Sequence, residues 1–337
     1  MKLSQTGELS LIELIRDRFR EKSRGVIVGI GDDAAVIKPP DKNLLVTTDT
    51  MVEKFHFDLS FITPYQLGFK LVSVNVSDIY SMGGKPLFLL LNISAKKNTE
   101  MTFIDSFFDG LRDSMDRYGV NLIGGDLSSS YRDMTLSATV LGVAKRPIRR
   151  SGAKIGDKIY ISGNIGDSAC GLELLKKIRK PFPFSHPSPS MGKGKGGGEI
   201  LRGLPWKAIE PLIRKHLLPI AREPKEFASY ASAMIDVSDG LLIDLWRLCN
   251  ESKVGARIYI KKIPLSSELK QAASHLGLSP LKLALSGGED YELLFTASPK
   301  KKVKAIHIGE ITESERVIVD ATGREKPFTP EGYQHFV

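Results

Sequence analysis

The chain has 337 residues, of which 42% are hydrophobic and 26% charged, and this balance is typical of a globular protein with about two domains and a substantial core. No run approaches 18 apolar residues, which argues against a membrane-spanning helix. The net charge of +9 comes from scattered basic residues without a zinc finger or an aromatic-rich RNA-binding motif, so a solvated basic surface is favoured over a nucleic-acid partner.

The first element is an amphipathic helix, predicted over residues 8–21. Its acidic residues interrupt the apolar pattern, which is unlike a signal peptide. The two cysteines, Cys170 and Cys249, lack the spacing of metal ligands or redox pairs and are expected to be buried thiols. Together these features favour a cytoplasmic protein.

The next segment, "VIVGIGDDAAVI", places Asp32 and Asp33 side by side between two short apolar runs. Adjacent carboxylates repel each other, so a cation is expected to lie beside them. The strands predicted in the first half of the chain lie at 26–29, at 34–37, at 44–48, within "PLFLLLNISA" and within "MTLSATVLGVA".

A helix is predicted over "TPYQLGFKLVSVNVSDIYSMGG", with Thr63 as its cap, Pro64 at its first position and two glycines at its end. In a helix, Asn75 and Asp78 are three residues apart and share a face. The alternation in "VSVNVSD" also permits a strand. A second, amphipathic helix is predicted over 101–118.

The character of the sequence changes within "RPIRRSGAKIGD", and this change divides the chain into predicted domains 1–148 and 149–337. In the second domain, strands are predicted at 158–162, 256–260 and 291–296, and helices at 167–178, 239–250 and 265–276. Interspersed strands and helices indicate an α/β or α+β fold. A stretch near 179–205 is rich in Pro, Ser, Gly and Lys and is predicted to be a flexible insertion.

Seven apolar runs of this chain lead through small residues into acids. The acids are Asp32 with Asp33, Asp49, Asp78, Asp126, Asp167, Asp236 with Asp239, and Glu289 with Asp290. Any one of these motifs is compatible with an ordinary turn, since Gly and Asp are common turn residues. Seven together indicate a shared cleft for several cations, because Mg²⁺ is usually shared between one or two carboxylates and the phosphates of a substrate.

Other acid- and glycine-based sites fit the sequence less well. The EF-hand spacing is absent, and "GKGKGGGE" lacks the Lys-Ser or Lys-Thr of a Walker A loop. The protein-kinase motifs are also missing. A glycosidase stays possible in principle, but it needs only one pair of carboxylates.

The motifs "GIGDDAA", "TTDT", "NVSDIYSMGG", "IGGD", "RSGAKIGD", "DVSDGL" and "SGGEDYEL" occur in this order. Together they closely resemble the thiamine-monophosphate kinase family of the aminoimidazole-ribonucleotide-synthetase-like ATP-binding superfamily. "SGGEDYEL" and the ending "EGYQHF" point to this family within the superfamily. The resemblance covers nearly the whole chain apart from roughly 179–205, where the insertion departs from shorter family members.

The resemblance implies a two-domain fold and an activity. The amino-terminal domain would bind metal and ATP and form a shared β-barrel in a homodimer, and the α+β carboxy-terminal domain would cover the nucleotide. The implied reaction is direct in-line transfer of the γ-phosphate of ATP to thiamine monophosphate, giving thiamine diphosphate and ADP, with several Mg²⁺ ions. Such a reaction needs alignment and charge neutralisation more than a covalent catalyst.

The resemblance also assigns roles to particular residues. Metal binding falls to Asp33, Thr47, Thr48, Asp49, Asp78, Asp126, Asp236 and Asp239. Contacts with ATP fall to Gly125, Asp126, Arg150 and Ser238. Contacts with thiamine monophosphate fall to His56, Glu289 and Tyr333. The residues expected to be catalytic are Asp33, Asp78, Asp126 and Asp236, whereas Asp32 receives no direct role.

Two alternatives to this function stay open from the sequence. One is a sister enzyme of the superfamily that phosphorylates another acceptor. The other is a non-catalytic protein that binds metal or nucleotide on the same fold, although intact acids in every motif argue against it.

Overall fold

The computed structural model describes residues 2–19, 25–30, 34–182, 201 and 203–336. Asp32, Asp33 and most of the predicted insertion therefore lie outside the described residues. The described residues form two compact units, and the chain passes from the first to the second between Arg146 and Pro147. Two short segments depart from this division: Tyr80–Gly83 belongs to the second unit, and residues 180–182 belong to the first.

The first unit contains a four-stranded sheet. Its elements in chain order are α1 (Leu3–Thr6), α2 (Glu8–Arg18), β1 (Val26–Val28), β2 (Val36–Ile37), β3 (Asn43–Val52), α3 (Pro64–Ser81), β4 (Lys85–Lys96), α4 (Met101–Tyr118), β5 (Asn121–Ser130) and β6 (Thr135–Ala144). The sheet has the order β3-β6-β4-β5, and β1 and β2 form a separate antiparallel pair. β6 runs antiparallel to both of its neighbours, whereas β4 and β5 are parallel.

The helices α3 and α4 carry much of the core of the first unit. In α3 the capping interactions are reciprocal, since Thr63 accepts from the backbone N–H of Gln66 and its own N–H donates to the Gln66 side chain. The helix prediction for this segment is confirmed, and the alternative of a strand is wrong. Buried residues of α4 recur at helical spacing, and Gly119 ends that helix in a left-handed conformation with φ of 65°.

The second unit contains a seven-stranded mixed sheet. Its elements are β7 (Lys158–Ile161), α5 (Asp167–Ile178), α6 (Trp206–Leu217), β8 (Ala231–Asp236), α7 (Leu241–Ser252), β9 (Gly255–Tyr259), α8 (Ser267–Leu276), α9 (Pro280–Ser286), β10 (Leu293–Ala297), β11 (Ile306–Thr312), β12 (Arg316–Val319) and β13 (Glu325–Pro327). The strand order is β13-β12-β9-β11-β7-β10-β8, and the pairing is antiparallel except between β12 and β9. The mixture of helices and strands in both units confirms the predicted α/β (α+β) class.

A large apolar cluster lies in the second unit and joins its sheet to α7. Ile159 and Ile161 of β7, Ile235 of β8, and Leu241 and Leu245 of α7 are among its fully or nearly fully buried members. Burying each such side chain stabilises the fold by about 1.5–3 kcal/mol relative to leaving it exposed. This core fixes the ends of β8 and α7, from which several candidate site residues project.

No helix in the described part of the chain is long and apolar enough to cross a membrane.

Candidate functional site

In the first unit, β3 and α3 bring four polar residues together. The hydroxyl of Thr47 donates to Oδ2 of Asp78 at 2.5 Å, and the backbone N–H of Asp49 donates to Oδ1 of Asn75 at 3.1 Å. Residues 47 and 49 share one face of the strand because side chains alternate with a period of two, and residues 75 and 78 share one face of the helix. The predicted proximity of Asn75 and Asp78 is confirmed, and it places Asp78 beside the strand that carries Asp49.

Asn75 fixes this arrangement from inside the core. It is fully buried, and its side-chain NH₂ donates to the carbonyl of Leu71 at 2.9 Å while its oxygen accepts from Asp49. A buried amide with both ends bonded holds its neighbours in a defined geometry, since breaking either bond would leave a buried polar group unsatisfied.

Thr48 lies on the other face of β3. Its hydroxyl donates to the carbonyl of Ala138 at 3.1 Å and accepts from the hydroxyl of Thr139 at 3.0 Å. The side chains of Thr47 and Thr48 therefore point to opposite sides of the sheet, as strand geometry requires.

Gly125 and Asp126 lie on β5, which pairs with β4 through Leu91 and Asn92. A Cβ on Gly125 would lie 1.8 Å from the carbonyl oxygen of Leu91, so only glycine permits this close approach. Asp126 is exposed, and three strand spacings of about 4.8 Å separate β5 from β3, or about 14 Å across the sheet. Within one chain, the sheet thus places Asp126 apart from the group around Asp78.

His56 follows β3 in a turn and is half-buried. Its Nδ1 accepts from the backbone N–H of Val52 at 3.0 Å, which assigns the proton of the neutral ring to Nε2. The turn thus fixes the orientation of the ring with Nε2 as the donor.

In the second unit, the loop after β8 carries Asp236, Ser238 and Asp239. Asp236 ends the strand and is 2% exposed. The carboxylate of Asp244, on the first turn of α7, accepts from the backbone N–H groups of Ser238, Asp239 and Gly240 at 3.0–3.2 Å. Three bonds to one carboxylate oxygen fix the loop conformation at the start of the helix.

Asp244 and Asp239 share a cation, Arg247. Its guanidinium donates to Asp244 at 2.7 Å and to Asp239 at 2.5 Å. Burial raises the pKa of Asp244 to about 6, and the negative charge of Asp239 contributes in the same direction. The arginine offsets part of that penalty and determines the orientation of the Asp239 side chain.

The "SGGEDYEL" segment lies beside this loop because β8 and β10 are neighbours in the sheet. The N–H of Glu289 donates to the carbonyl of Ser238 at 2.7 Å, and the N–H of Tyr291 donates to that of Val237 at 2.9 Å. Both Glu289 and Tyr291 have positive φ, 65° and 51°, which is uncommon for residues with side chains. The backbone therefore holds Glu289 next to Ser238.

Asp290 is fully buried and accepts from the backbone N–H of Gly166 at 2.5 Å and of Ser168 at 3.1 Å. These two donors lie at the start of α5, where unpaired N–H groups favour a carboxylate. Burial nevertheless raises the pKa of Asp290 to about 7, although Lys215 and these two hydrogen bonds act in the opposite direction.

The raised pKa of Asp290 predicts a pH dependence of stability. An aspartate with a folded pKa of about 7 and an unfolded pKa of 3.8 contributes stability that is complete below pH 3.8 and is lost as the pH rises through 7. We expect the melting temperature of the wild type minus that of Asp290→Asn to fall from pH 5 to pH 8. The fall corresponds to a loss of about 2–3 kcal/mol in the free energy of unfolding of the wild type.

Asp320→Asn serves as the control for that experiment. Hydrogen bonds from Thr322 lower the pKa of Asp320, so its contribution to stability changes only at more acidic pH. Its melting-temperature difference should be constant between pH 5 and pH 8. A difference for Asp290→Asn that stays constant would show that Asp290 is already ionised in the folded protein at pH 5.

Tyr333 and Arg150 lie at different places around α7. The N–H of Tyr333 donates to the carbonyl of Asp239 at 2.9 Å, at the amino end of the helix, and the residue is 44% exposed. Arg150 is exposed, and its carbonyl accepts from Ser252 at 2.8 Å, at the carboxy end. Twelve helical residues, about 18 Å, separate the two ends, so the structure groups Tyr333, but not the Arg150 backbone, with Ser238.

The oxygen donors around Asp78 have the chemistry that Mg²⁺ prefers, since carboxylate and hydroxyl oxygens are hard ligands. Among the residues that the structure describes, no three His, Cys, Asp or Glu side chains are gathered as a metal-binding group. That pattern is compatible with Mg²⁺, which keeps several waters and takes few protein carboxylates while substrate phosphates complete its coordination. Asp33, the remaining acid expected there, lies outside the described residues.

Three residues that the sequence motifs did not reveal take part in these arrangements. Asp244 and Arg247 lie three apart on a helix, a spacing that indicates an ion pair but not its burial. His216, on α6, is 5% exposed, and its Nδ1 lies 3.1 Å from Oε2 of Glu289. A lone histidine in an amphipathic helix gives no such signal.

Comparison with protein families identifies both halves of the chain. The model of the AIR synthase related protein, N-terminal domain, matches residues 31–144, and the model of the corresponding C-terminal domain matches residues 202–321. The two matches together cover more than half of the chain.

Individual relatives extend this similarity to the full length. The thiamine-monophosphate kinase of Aquifex aeolicus (strain VF5) is 35% identical, with both chains covered completely. A solved structure of AaThiL complexed with AMPPCP and TMP is 33% identical, covers 100% of this chain and 99% of its own, and superimposes with a TM-score of 0.75. The hydrogenase maturation protein HypE in complex with ATP shares the fold alone, with 16% identity, coverage of 98% and 96%, and a TM-score of 0.68.

Proposed function

The chain belongs to the AIR synthase related proteins and, among them, to the thiamine-monophosphate kinase family, and from this premise we propose that it phosphorylates thiamine monophosphate with ATP to give thiamine diphosphate and ADP. The observation in the structure that carries the proposal is the row of oxygen donors between β3 and α3, where Thr47 meets Asp78 and Asp49 is anchored to Asn75. Such donors suit a polyphosphate substrate that arrives with hard cations.

We assign magnesium binding to the oxygen-bearing side chains of the motifs. These are Asp33, Thr47, Thr48, Asp49, Asp78, Asp126, Asp236 and Asp239. When bound, magnesium neutralises phosphate charge and favours nucleophilic attack on the γ-phosphorus. Asp33, Asp78, Asp126 and Asp236 are the residues on which catalysis is proposed to depend most.

Binding of ATP is assigned to Gly125, Asp126, Arg150 and Ser238. The planar guanidinium of Arg150 suits phosphate oxygens, because its donors form a fixed fork. Ser238 lies in the loop that Asp244 holds through three backbone hydrogen bonds, so this ATP contact is preorganised.

The chemistry of the acceptor explains why no strong base is required. Thiamine monophosphate presents a phosphate that is ionised at neutral pH and therefore needs no deprotonation before it attacks. We propose direct in-line transfer without a phosphoenzyme, in which positioning and charge neutralisation lower the barrier. His56, Glu289 and Tyr333 are assigned to the acceptor, and the carboxylate of Glu289 complements the permanent positive charge of thiamine.

We also propose that the protein is a homodimer whose amino-terminal domains share a β-barrel, and that it works in the cytoplasm. The exposed apolar side chains of Leu44 and Val46 on β3 support a second copy covering this strand. The two free cysteines, Cys170 and Cys249, are buried, as a reducing compartment permits.

A comparison of acceptors tests the function against the sister-enzyme alternative. Thiamine monophosphate, free thiamine and aminoimidazole ribonucleotide precursors are offered separately with Mg-ATP at equal concentration, and ADP formation is measured. We expect rapid ADP formation with thiamine monophosphate alone, because free thiamine lacks the phosphate. Equal rates with free thiamine would contradict the acceptor chemistry, and a preference for a precursor would favour the sister enzyme.

Replacing Tyr333 by alanine should raise the KM for thiamine monophosphate roughly 2- to 30-fold, as expected for loss of a cation–π contact of about 0.5–2 kcal/mol. The KM for ATP should change little. Tyr333→Phe is the matched control, since it keeps the ring and should retain most of the affinity. Equal increases in both KM values for Tyr333→Ala would indicate a general structural defect instead of an acceptor contact.

A further inference from the structure

His216 lies in the last turn of α6, outside every motif that the resemblance used. It follows Leu212 by four residues and Ile213 by three, so its side chain shares the buried face of an amphipathic helix. A histidine on such a face needs polar partners, because burying an imidazole without hydrogen bonds is costly.

The partners of His216 identify its proton. Nδ1 lies 3.1 Å from Oε2 of Glu289 and 3.2 Å from the hydroxyl of Ser168. A carboxylate oxygen only accepts hydrogen bonds, so the arrangement is favourable when Nδ1 carries a hydrogen and donates it. His216 is therefore assigned as a donor, with its Nδ1 within hydrogen-bond distance of the Glu289 carboxylate.

The acids near Glu289 are held by other groups. Asp290 accepts from the backbone at the start of α5, and Glu292 is paired with Lys215 at 2.7 Å. Lys215 and His216 are consecutive in α6, so one helix turn contacts two acids of the "SGGEDYEL" segment. Lys215 pairs with Glu292, and His216 is the residue of α6 that lies next to the Glu289 carboxylate.

Glu289 combines a fixed backbone with a partly exposed side chain, which suits a residue that contacts a ligand. Its backbone is fixed to Ser238 in a conformation with φ of 65°, whereas 29% of its side chain is exposed. The backbone bond determines where the residue sits, whereas the orientation of the carboxylate depends on contacts of the side chain. The donor on His216 selects one side-chain orientation.

We propose that His216 is a positioning residue that orients the Glu289 carboxylate toward the cationic part of the acceptor, with the Ser168 hydroxyl oxygen as a second acceptor of the same Nδ1–H. This inference rests on the proposed function, in which Glu289 contacts thiamine monophosphate. It assigns part of the acceptor specificity to a residue that makes no contact with the acceptor itself.

A double-variant cycle tests the proposal on the full-length protein. KM values for thiamine monophosphate and ATP are measured for the wild type, His216→Ala, Glu289→Gln and the double variant, together with melting temperatures. We expect His216→Ala to raise the KM for thiamine monophosphate about 10- to 100-fold, as for loss of a hydrogen bond to a charged group, with the KM for ATP within about twofold. In the Glu289→Gln background, His216→Ala should raise the KM for thiamine monophosphate less than about twofold further. The effects of two residues are not additive when one acts through the other.

Two further variants distinguish orientation from general stability. His216→Asn places an amide donor near the position of Nδ1 and should recover most of the affinity, even if it melts at a lower temperature. His275→Ala, an exposed histidine of α8 in the same unit, should leave both KM values unchanged.

Three results would overturn the proposal. They are equal increases in both KM values for His216→Ala, full additivity in the double variant, and no recovery in His216→Asn. A wild-type protein that forms ADP with thiamine monophosphate but gives one of these results refutes the role of His216 alone. A wild-type protein without that activity refutes the proposed function and this inference with it.

Discussion

Replacing Asp78 by asparagine is expected to lower kcat by at least about 100-fold, comparable to removing one strong electrostatic contribution from an active site. The fold should survive, because the oxygen of an asparagine still accepts from the hydroxyl of Thr47, which bonds Asp78 at 2.5 Å. What is lost is the negative charge that the row of oxygen donors between β3 and α3 offers to a cation.

Activity and thermal melting, measured with and without Mg²⁺, check this expectation. The wild type should gain thermal stability from Mg²⁺, and Asp78→Asn should lose most of that gain while melting at nearly the same temperature without the metal. Asp105→Asn, on α4 in the same unit, changes a half-exposed acid and serves as the control. Wild-type turnover in Asp78→Asn would refute the assignment of Asp78 to metal binding.

Replacing Asp244 by alanine is expected to destabilise the second unit by about 3–5 kcal/mol, because it leaves three backbone N–H groups and Arg247 without their buried acceptor. For a unit of this size the loss corresponds to a melting temperature lower by about 10 °C. The KM for ATP should also rise, since Asp244 holds the loop that carries Ser238.

A matched substitution on the same helix separates this effect from a loss of charge. Glu251 is an exposed acid of α7, and Glu251→Ala should change the melting temperature and the KM for ATP little. Asp244→Asn should lie between the two, because it keeps an acceptor but removes one of the two charged partners of Arg247, leaving Asp239. An unchanged melting temperature for Asp244→Ala would mean that other groups hold the loop.

The predicted helix over residues 63–84 illustrates what the sequence can determine. Thr63 caps it, apolar residues fill it, and glycines follow it, so local preference and burial agree. That Asn75 and Asp78 lie on the same face followed directly from the helical period. Which strand they would meet was not predictable, since the pairing of α3 with β3 depends on tertiary packing.

Several elements escaped prediction, and for two of them the reason can be identified. β5 contains "IGGD", which is typical of a turn, yet Gly125 is required by the close approach of Leu91 within a parallel pair. α6 contains Pro211, which ordinarily breaks a helix, and it follows the Pro- and Gly-rich stretch. In both cases a local signal for a turn was overridden by packing.

The candidate site shows the same limit. Acids at the ends of apolar runs were visible, because each follows its run through small residues such as Gly, Ser, Thr or Asn. The buried carboxylate of Asp244 and the donor on His216 were not, since an acid or a histidine in an amphipathic helix usually lies on its solvated face. Their roles depend on which loop lies opposite, and β8 and β10 determine this only in the folded sheet.

The fate of the γ-phosphate tests the central claim most directly. The purified protein is incubated with Mg²⁺, ATP labelled in its γ-phosphate, and unlabelled thiamine monophosphate, and the labelled products are separated. The proposed reaction predicts that the label appears in thiamine diphosphate, at its terminal phosphate, with one ADP formed for each thiamine diphosphate. Label recovered as inorganic phosphate, or ADP formed without thiamine diphosphate, would contradict it.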